Sequence, residues 1–136
     1  MSEYIRTVNY YETDKMGITH HSNYIRFMEE ARLDFLRKLG YPMTRLEAEG
    51  VVSPVVSVEC KYRNTSTFAD VLNISVKVEK YTGVKVEFAY TGVNTESGKT
   101  IFEAKSVHCF VNSQGRPVSV KKNFPEFDAK LSAELM

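Results

Sequence analysis

Asp14 sits in the stretch Tyr11-Glu12-Thr13-Asp14-Lys15-Met16-Gly17, and His20-His21-Ser22-Asn23-Tyr24 follows before a strongly amphipathic segment. This order puts a carboxylate in a Gly-containing loop just ahead of a helix start. A helix start presents free backbone N–H groups and the positive end of the helix dipole. A carboxylate facing those donors can attack a carbonyl, or aim water at it, while the carbonyl oxygen rests on the amides. The chemistry expected of such an arrangement is acyl transfer to water, as in a thioester hydrolase.

A plainer role is open to Asp14, because Asp near Gly often only forms a turn or a cap. Two features favour chemistry. Residues 23–26, the expected first helical turn, contain no Asp or Glu, although acids are favoured there. The loop also gathers Tyr10, Tyr11, His21, Asn23 and Tyr24 around the carboxylate. His20 and His21 are adjacent, so their side chains are expected to diverge. A metal site needs three or four convergent ligands. The third histidine, His108, is remote, and neither H-x-x-x-H nor H-E-x-x-H occurs, so no metal is expected. No G-x-S-x-G elbow supports a serine nucleophile. A histidine beside Asp14 could position substrate, act as a general acid, or simply be polar surface. Lys61, Arg63, Lys77, Lys80, Lys85 and Lys105 lie on polar strand faces or near turns, where solvated surface is the ordinary reading. A subset could meet the phosphates of a nucleotide-bearing substrate.

These residues need elements to hold them. Residues 3–10 read as an opening strand with Tyr4, Arg6, Val8 and Tyr10 on one face. Ser22 is the expected N-cap of a helix of about 17 residues, some 26 Å long, stopping at Gly40. Tyr24, Phe27, Met28, Ala31 and Phe35 form its apolar stripe, widened by Ile25, Leu36 and Leu39, with Arg26, Glu30 and Arg37 opposite. Thr44-Arg45-Leu46-Glu47 has a capping-box pattern and predicts a short second helix ending near Gly50. Four runs then alternate with period two, at 52–63, 70–81, 84–94 and 100–112. Thr82-Gly83 and Glu96-Ser97-Gly98-Lys99 join the last three as hairpins. The tail at 125–135 is expected to form a short helix anchored by Phe124 and Phe127. The fold class is therefore α+β, one layer of helix on one antiparallel sheet. The bare face and edges of such a sheet invite dimerisation.

Bulk properties agree with a small cytoplasmic enzyme. A length of 136 residues implies a single domain over 1–136, and 43% apolar residues suffice for a core. Acids and bases cancel to a net charge of +1, which points to neither nucleic acid nor an anionic membrane surface. No apolar run reaches the roughly 20 residues of a membrane span, and Met1-Ser2-Glu3-Tyr4-Ile5-Arg6 lacks the form of a signal peptide. Cys60 and Cys109 lie far apart without a C-x-x-C pattern and are expected to be reduced thiols.

The run Tyr10-Tyr11-Glu12-Thr13-Asp14-Lys15-Met16-Gly17-Ile18-Thr19-His20-His21-Ser22-Asn23-Tyr24, continued by Phe27-Met28-Glu29-Glu30-Ala31-Arg32, resembles the hotdog-fold acyl-CoA thioesterases, in particular the 4-hydroxybenzoyl-CoA thioesterase branch. Strand order and length match that family over 3–112. The resemblance implies a long central helix wrapped by a curved five-stranded antiparallel sheet. It also implies homodimers with a continuous sheet, often paired as homotetramers, and active sites between subunits. It makes Asp14 the catalytic carboxylate, as nucleophile or as general base. His21 takes the position whose backbone N–H polarises the thioester carbonyl. Gly17 belongs to the loop motif, and Asn23 and Tyr24 match the helix-entry pair. Thr82-Gly83-Val84-Lys85 matches a region that touches coenzyme A in relatives, here with only Lys80 and Lys85 as nearby bases. The implied substrate is a small-molecule acyl-CoA, with coenzyme A as part of the substrate and no separate cofactor. A hotdog dehydratase and a non-catalytic acyl-CoA-binding module are the alternatives.

Overall fold

The structure is a computed structural model and describes residues 2–135. Five strands, β1 (Ser2–Thr7), β2 (Val55–Tyr62), β3 (Val71–Tyr81), β4 (Lys85–Asn94) and β5 (Thr100–Cys109), form one antiparallel sheet in the order β1-β3-β4-β5-β2. The helices are α1 (Ser22–Leu39), α2 (Met43–Ala48), α3 (Val120–Asn123) and α4 (Pro125–Ala133). On β3 and β4 every second side chain faces the core. Leu72, Ile74, Val76 and Val78 on β3, and Val86, Phe88 and Tyr90 on β4, are all buried. The stripe of α1 supplies the other half of the core through Phe27, Met28, Ala31 and Phe35. Phe127 and Leu131 of α4 close its far end, so the tail helix is anchored as the sequence suggests. Gly40 stops α1 in the left-handed region at φ 93°, where a β-carbon would be strained. No described helix is long and apolar enough to cross a membrane.

Several local expectations are corrected. The first strand stops at Thr7, because a 3-10 turn at Tyr10–Glu12 takes over and leaves Tyr10 exposed. His21, not Ser22, caps α1; the Ser22 hydroxyl is held by His20 Nδ1 at 2.8 Å and is unavailable as a cap. The two histidine rings do not diverge but stack at 4.3 Å, since the same serine pins the first ring across the turn. The pattern at 44–47 makes no capping box, because α2 already starts at Met43 behind Pro42. Glu30 is not on a purely solvated face; it accepts from Tyr4 and Arg6 at 3.0 and 2.8 Å. β2 is the least covered strand: Val55, Val56, Val58 and Tyr62 are each about half exposed.

A buried polar chain crosses the core between α1 and β5. Arg32 Nη1 lies 3.0 Å from His108 Nε2, Ser106 Oγ lies 2.7 Å from the same nitrogen, and Tyr90 Oη lies 2.6 Å from Ser106 Oγ. A guanidinium can only donate, so Nε2 must accept and the neutral ring carries its proton on Nδ1. The donors then run from Tyr90 to Ser106 to His108. Burial first, and the Arg32 charge second, push His108 down from 6.5 to about 4.

This has a stability consequence. The unfolded chain takes up the His108 proton near pH 6.5, whereas the folded chain refuses it until about pH 4. The contribution is whole above 6.5, drains as pH falls towards 4, and changes no further below that. Between pH 7.5 and 5 the loss from this group is about 2 kcal/mol. Urea unfolding at the two pH values should show that loss in the wild type and its absence in His108→Gln. Equal losses in both proteins would contradict it.

Candidate active site

The loop ahead of α1 is a small hairpin folded back on itself. Glu12 O accepts from His20 N at 2.8 Å, Thr13 and Thr19 form an antiparallel bridge, and Asp14 N donates to Ile18 O at 2.8 Å. Gly17 makes the reversal possible. Its φ is +79°, and its N–H returns to Asp14 O at 2.9 Å. Thr67 holds the tip from outside, its Oγ1 donating to Gly17 O at 2.7 Å.

Asp14 is half-buried in this hairpin. Its Oδ1 accepts from Met16 N at 2.8 Å, so the turn-forming role is real. Its Oδ2 has no partner among the described residues. The amides of the helix start are nearly all spoken for. Ser22 N donates to His20 Nδ1, Asn23 N to His20 O and Tyr24 N to His21 O. Among the described residues, the His21 N–H has no acceptor.

Asn23 and Tyr24 are both buried, and they tie the helix to the loop. Asn23 Nδ2 donates to Glu12 O at 2.9 Å, and Tyr24 Oη lies 2.7 Å from Ser66 Oγ, itself 2.6 Å from Thr19 Oγ1. Burial raises the Tyr24 phenol above its ordinary value, so it stays protonated. The sequence reading missed the other half of this support. Buried Glu12 accepts twice from Arg6, at 2.8 and 2.6 Å, and once from Asn9 N at 2.7 Å. Arg6 also reaches Glu30 at 2.8 Å and lies 4.4 Å over the Phe27 ring. Burial works against the Arg6 charge, but its two carboxylates outweigh that and hold it firmly protonated. The sequence signal available was an acid in the loop and a base on the first strand; their pairing appears only once β1 and α1 pack.

Gly83, Val84 and Lys85 are not beside Asp14 within one chain. They join β3 to β4, whereas Asp14 lies at the other end of β3, where Val8 N meets Asp70 O. Eleven residues of β3 put about 33 Å between the two ends. Lys121, remote in sequence, packs its β-carbon 3.4 Å from where one on Gly83 would stand, and Val120 N donates to Gly83 O at 2.8 Å. The hairpin thus has more basic neighbours than Lys80 and Lys85. Among the described residues, no cluster of three or more His, Cys, Asp or Glu side chains could hold a metal.

The family described as the Thioesterase-like superfamily matches residues 8–135. Among curated proteins, YneP of Bacillus subtilis (strain 168), named as a candidate acyl-CoA thioesterase, is 32% identical over 121 residues, covering 88% of this chain and 87% of its own. The acyl-CoA thioester hydrolase YbgC of Escherichia coli O157:H7 is 30% identical over 90 residues, covering 66% and 67%. Among solved structures, a DHNA-CoA thioesterase from Staphylococcus aureus superposes with a TM-score of 0.92 at 28% identity, covering 97% of this chain and 89% of that one.

Proposed function

The chain belongs to the Thioesterase-like superfamily and is a thioester hydrolase, and from that premise we propose that Asp14 and the His21 amide together hydrolyse an acyl-CoA. The thioester carbonyl oxygen accepts from the His21 N–H at the head of α1. The helix dipole and that donor stabilise the negative charge growing on the oxygen, and one such donor is worth about 3 kcal/mol. Asp14 Oδ2 either attacks the carbonyl carbon, giving a mixed anhydride that water then cleaves, or takes a proton from the attacking water. The leaving group is the thiol of coenzyme A, so no separate cofactor enters. The observation that carries this reading is the unclaimed His21 amide beside a loop whose aspartate keeps one oxygen free.

The same reading makes α1 the central helix of a hotdog fold, in the 4-hydroxybenzoyl-CoA thioesterase branch that the loop motif resembles. It also calls for a second subunit. Tyr62, at one end of β2, touches His21 and Tyr24; Val55, at the other end, is level with His108. Lys85 is level with Cys109, hence at the Val55 end. Two copies joined antiparallel along their exposed β2 edges would bring the Tyr62 end of one to the Val55 end of the other. The second copy's hairpin at 82–85 would then lie at the end of the sheet where Asp14 stands. Such a homodimer also covers the apolar edge, and pairs of dimers would make a homotetramer. Free Cys60 and Cys109 suit the cytoplasm.

A thiol-release assay across short, medium and aromatic acyl-CoAs, run beside sedimentation of the same sample, tests both parts. Free thiol from at least one ester, produced by an assembly no smaller than a dimer, is the expected result. No release from any ester would overturn the reaction, and full turnover by a monomer would overturn the shared site.

A further inference from the structure

Resting on the thioesterase reading, we infer that the cleft between α1 and β2 is the acyl subsite and that Arg32 at its inner end selects acyl groups ending in a carboxylate. Ile25, Met28, Val55 and Val58 wall a cavity of about 140 Å³ that Arg26, Glu29, Arg32, Tyr90 and Ser106 also line, the last three being its most buried polar residues. A cavity of that size holds a group about as large as benzene.

The cleft lies on the path a substrate would take. His21, Ile25, Met28 and Arg32 follow helical spacing down one side of α1, and Tyr62 and Val58 follow the period of β2 opposite. About 16 Å of helix rise separates His21 from Arg32, and helical side chains lean back towards the N-terminus. An acyl chain of about six to eight carbons, at standard bond lengths, spans what is left.

The charge balance points to the terminal group. Arg32 is 9% exposed, yet no buried acid among the described residues faces it. Its hydrogen-bond partners are both neutral, His108 Nε2 at 3.0 Å and the Tyr90 hydroxyl. Its nearest carboxylate is Glu29 at 3.9 Å, a side chain 64% exposed. Tyr90 and Ser106 spend their protons along the chain to His108, so neither supplies a negative charge. A buried cation without a close anion is costly, and a guanidinium matches a carboxylate with two parallel hydrogen bonds. A half-ester of a dicarboxylic acid with coenzyme A supplies that carboxylate and leaves its methylene groups against Ile25, Met28 and Val58.

Paired substrates test the inference. Adipyl-CoA should exceed hexanoyl-CoA in kcat/KM by about 10- to 100-fold, the range for a charged hydrogen bond. In Arg32→Met the ratio of adipyl-CoA to hexanoyl-CoA kcat/KM should fall from that range to about one or below, whatever the change in the absolute rates. Wild-type protein offers an independent reading: adipate should inhibit hexanoyl-CoA hydrolysis at concentrations where hexanoate does not. Equal use of the two esters, or equal loss of both in Arg32→Met with no inhibition by adipate, would overturn the subsite while leaving the hydrolase intact. Loss of the dimer in Arg32→Met, with no adipate inhibition of wild type, would assign the arginine to the interface instead. No turnover of any acyl-CoA by wild type would be a failure of the hydrolase reading itself.

Discussion

Asp14→Asn should fold normally and lose nearly all turnover, with kcat falling by about 10³-fold, within the range for a misplaced or missing general base. Stability should change by less than about 0.5 kcal/mol. The reason lies in the two carboxylate oxygens. Oδ1 holds Met16 N at 2.8 Å, and an asparagine carbonyl accepts the same bond. The turn survives, while the second oxygen is replaced by an amide nitrogen that neither attacks nor takes a proton. KM should move little, because the proposed mechanism gives carbonyl binding to the His21 amide rather than to Asp14. Single-turnover hydrolysis of the wild type in labelled water tests the nucleophilic route: label in the Asp14 carboxylate marks attack by that side chain, whereas label in the product acid alone arises either from water activation or from water opening the anhydride at its acyl carbon. An Asp14→Asn enzyme that keeps wild-type rates on every acyl-CoA tested would remove Asp14 from the site.

The second large effect concerns the pair that supports the loop. Glu12 is 3% exposed and accepts from Arg6 through both oxygens. Its side chain also caps Asn9 N, while its carbonyl receives His20 N and Asn23 Nδ2. Glu12→Ala leaves Arg6 with only the half-exposed Glu30 and should cost about 3–5 kcal/mol. That is a large part of the roughly 5–15 kcal/mol available to a domain of this kind. Glu12→Gln keeps the bond to Asn9 N and should cost less. Replacing both partners, as Arg6→Met with Glu12→Leu, should recover part of the loss, since a buried pair is dearest when only one member remains. Urea unfolding of the four proteins measures this. A loss below about 1 kcal/mol for Glu12→Ala would mean that the pair does not hold the loop.

Much of this protein was legible one element at a time. The five strands and the long amphipathic helix follow from hydrophobic period, and Gly40 marks the helix end because a left-handed residue there favours glycine. The stretch from Asp14 to His21 could be read as a candidate site because loop and helix start are contiguous in sequence, so local geometry alone brings them together. Residues far apart in the chain could not be paired this way. Arg6 with Glu12 and Glu30, Tyr24 with Ser66, and Arg32 with His108 depend on how α1 lies across the sheet. So does the separation of the hairpin at 82–85 from Asp14, which the length of β3 imposes. Short-range sterics and periodicity are written in neighbouring residues, whereas the partners of buried charges are chosen by packing, where desolvation penalises any charge left alone.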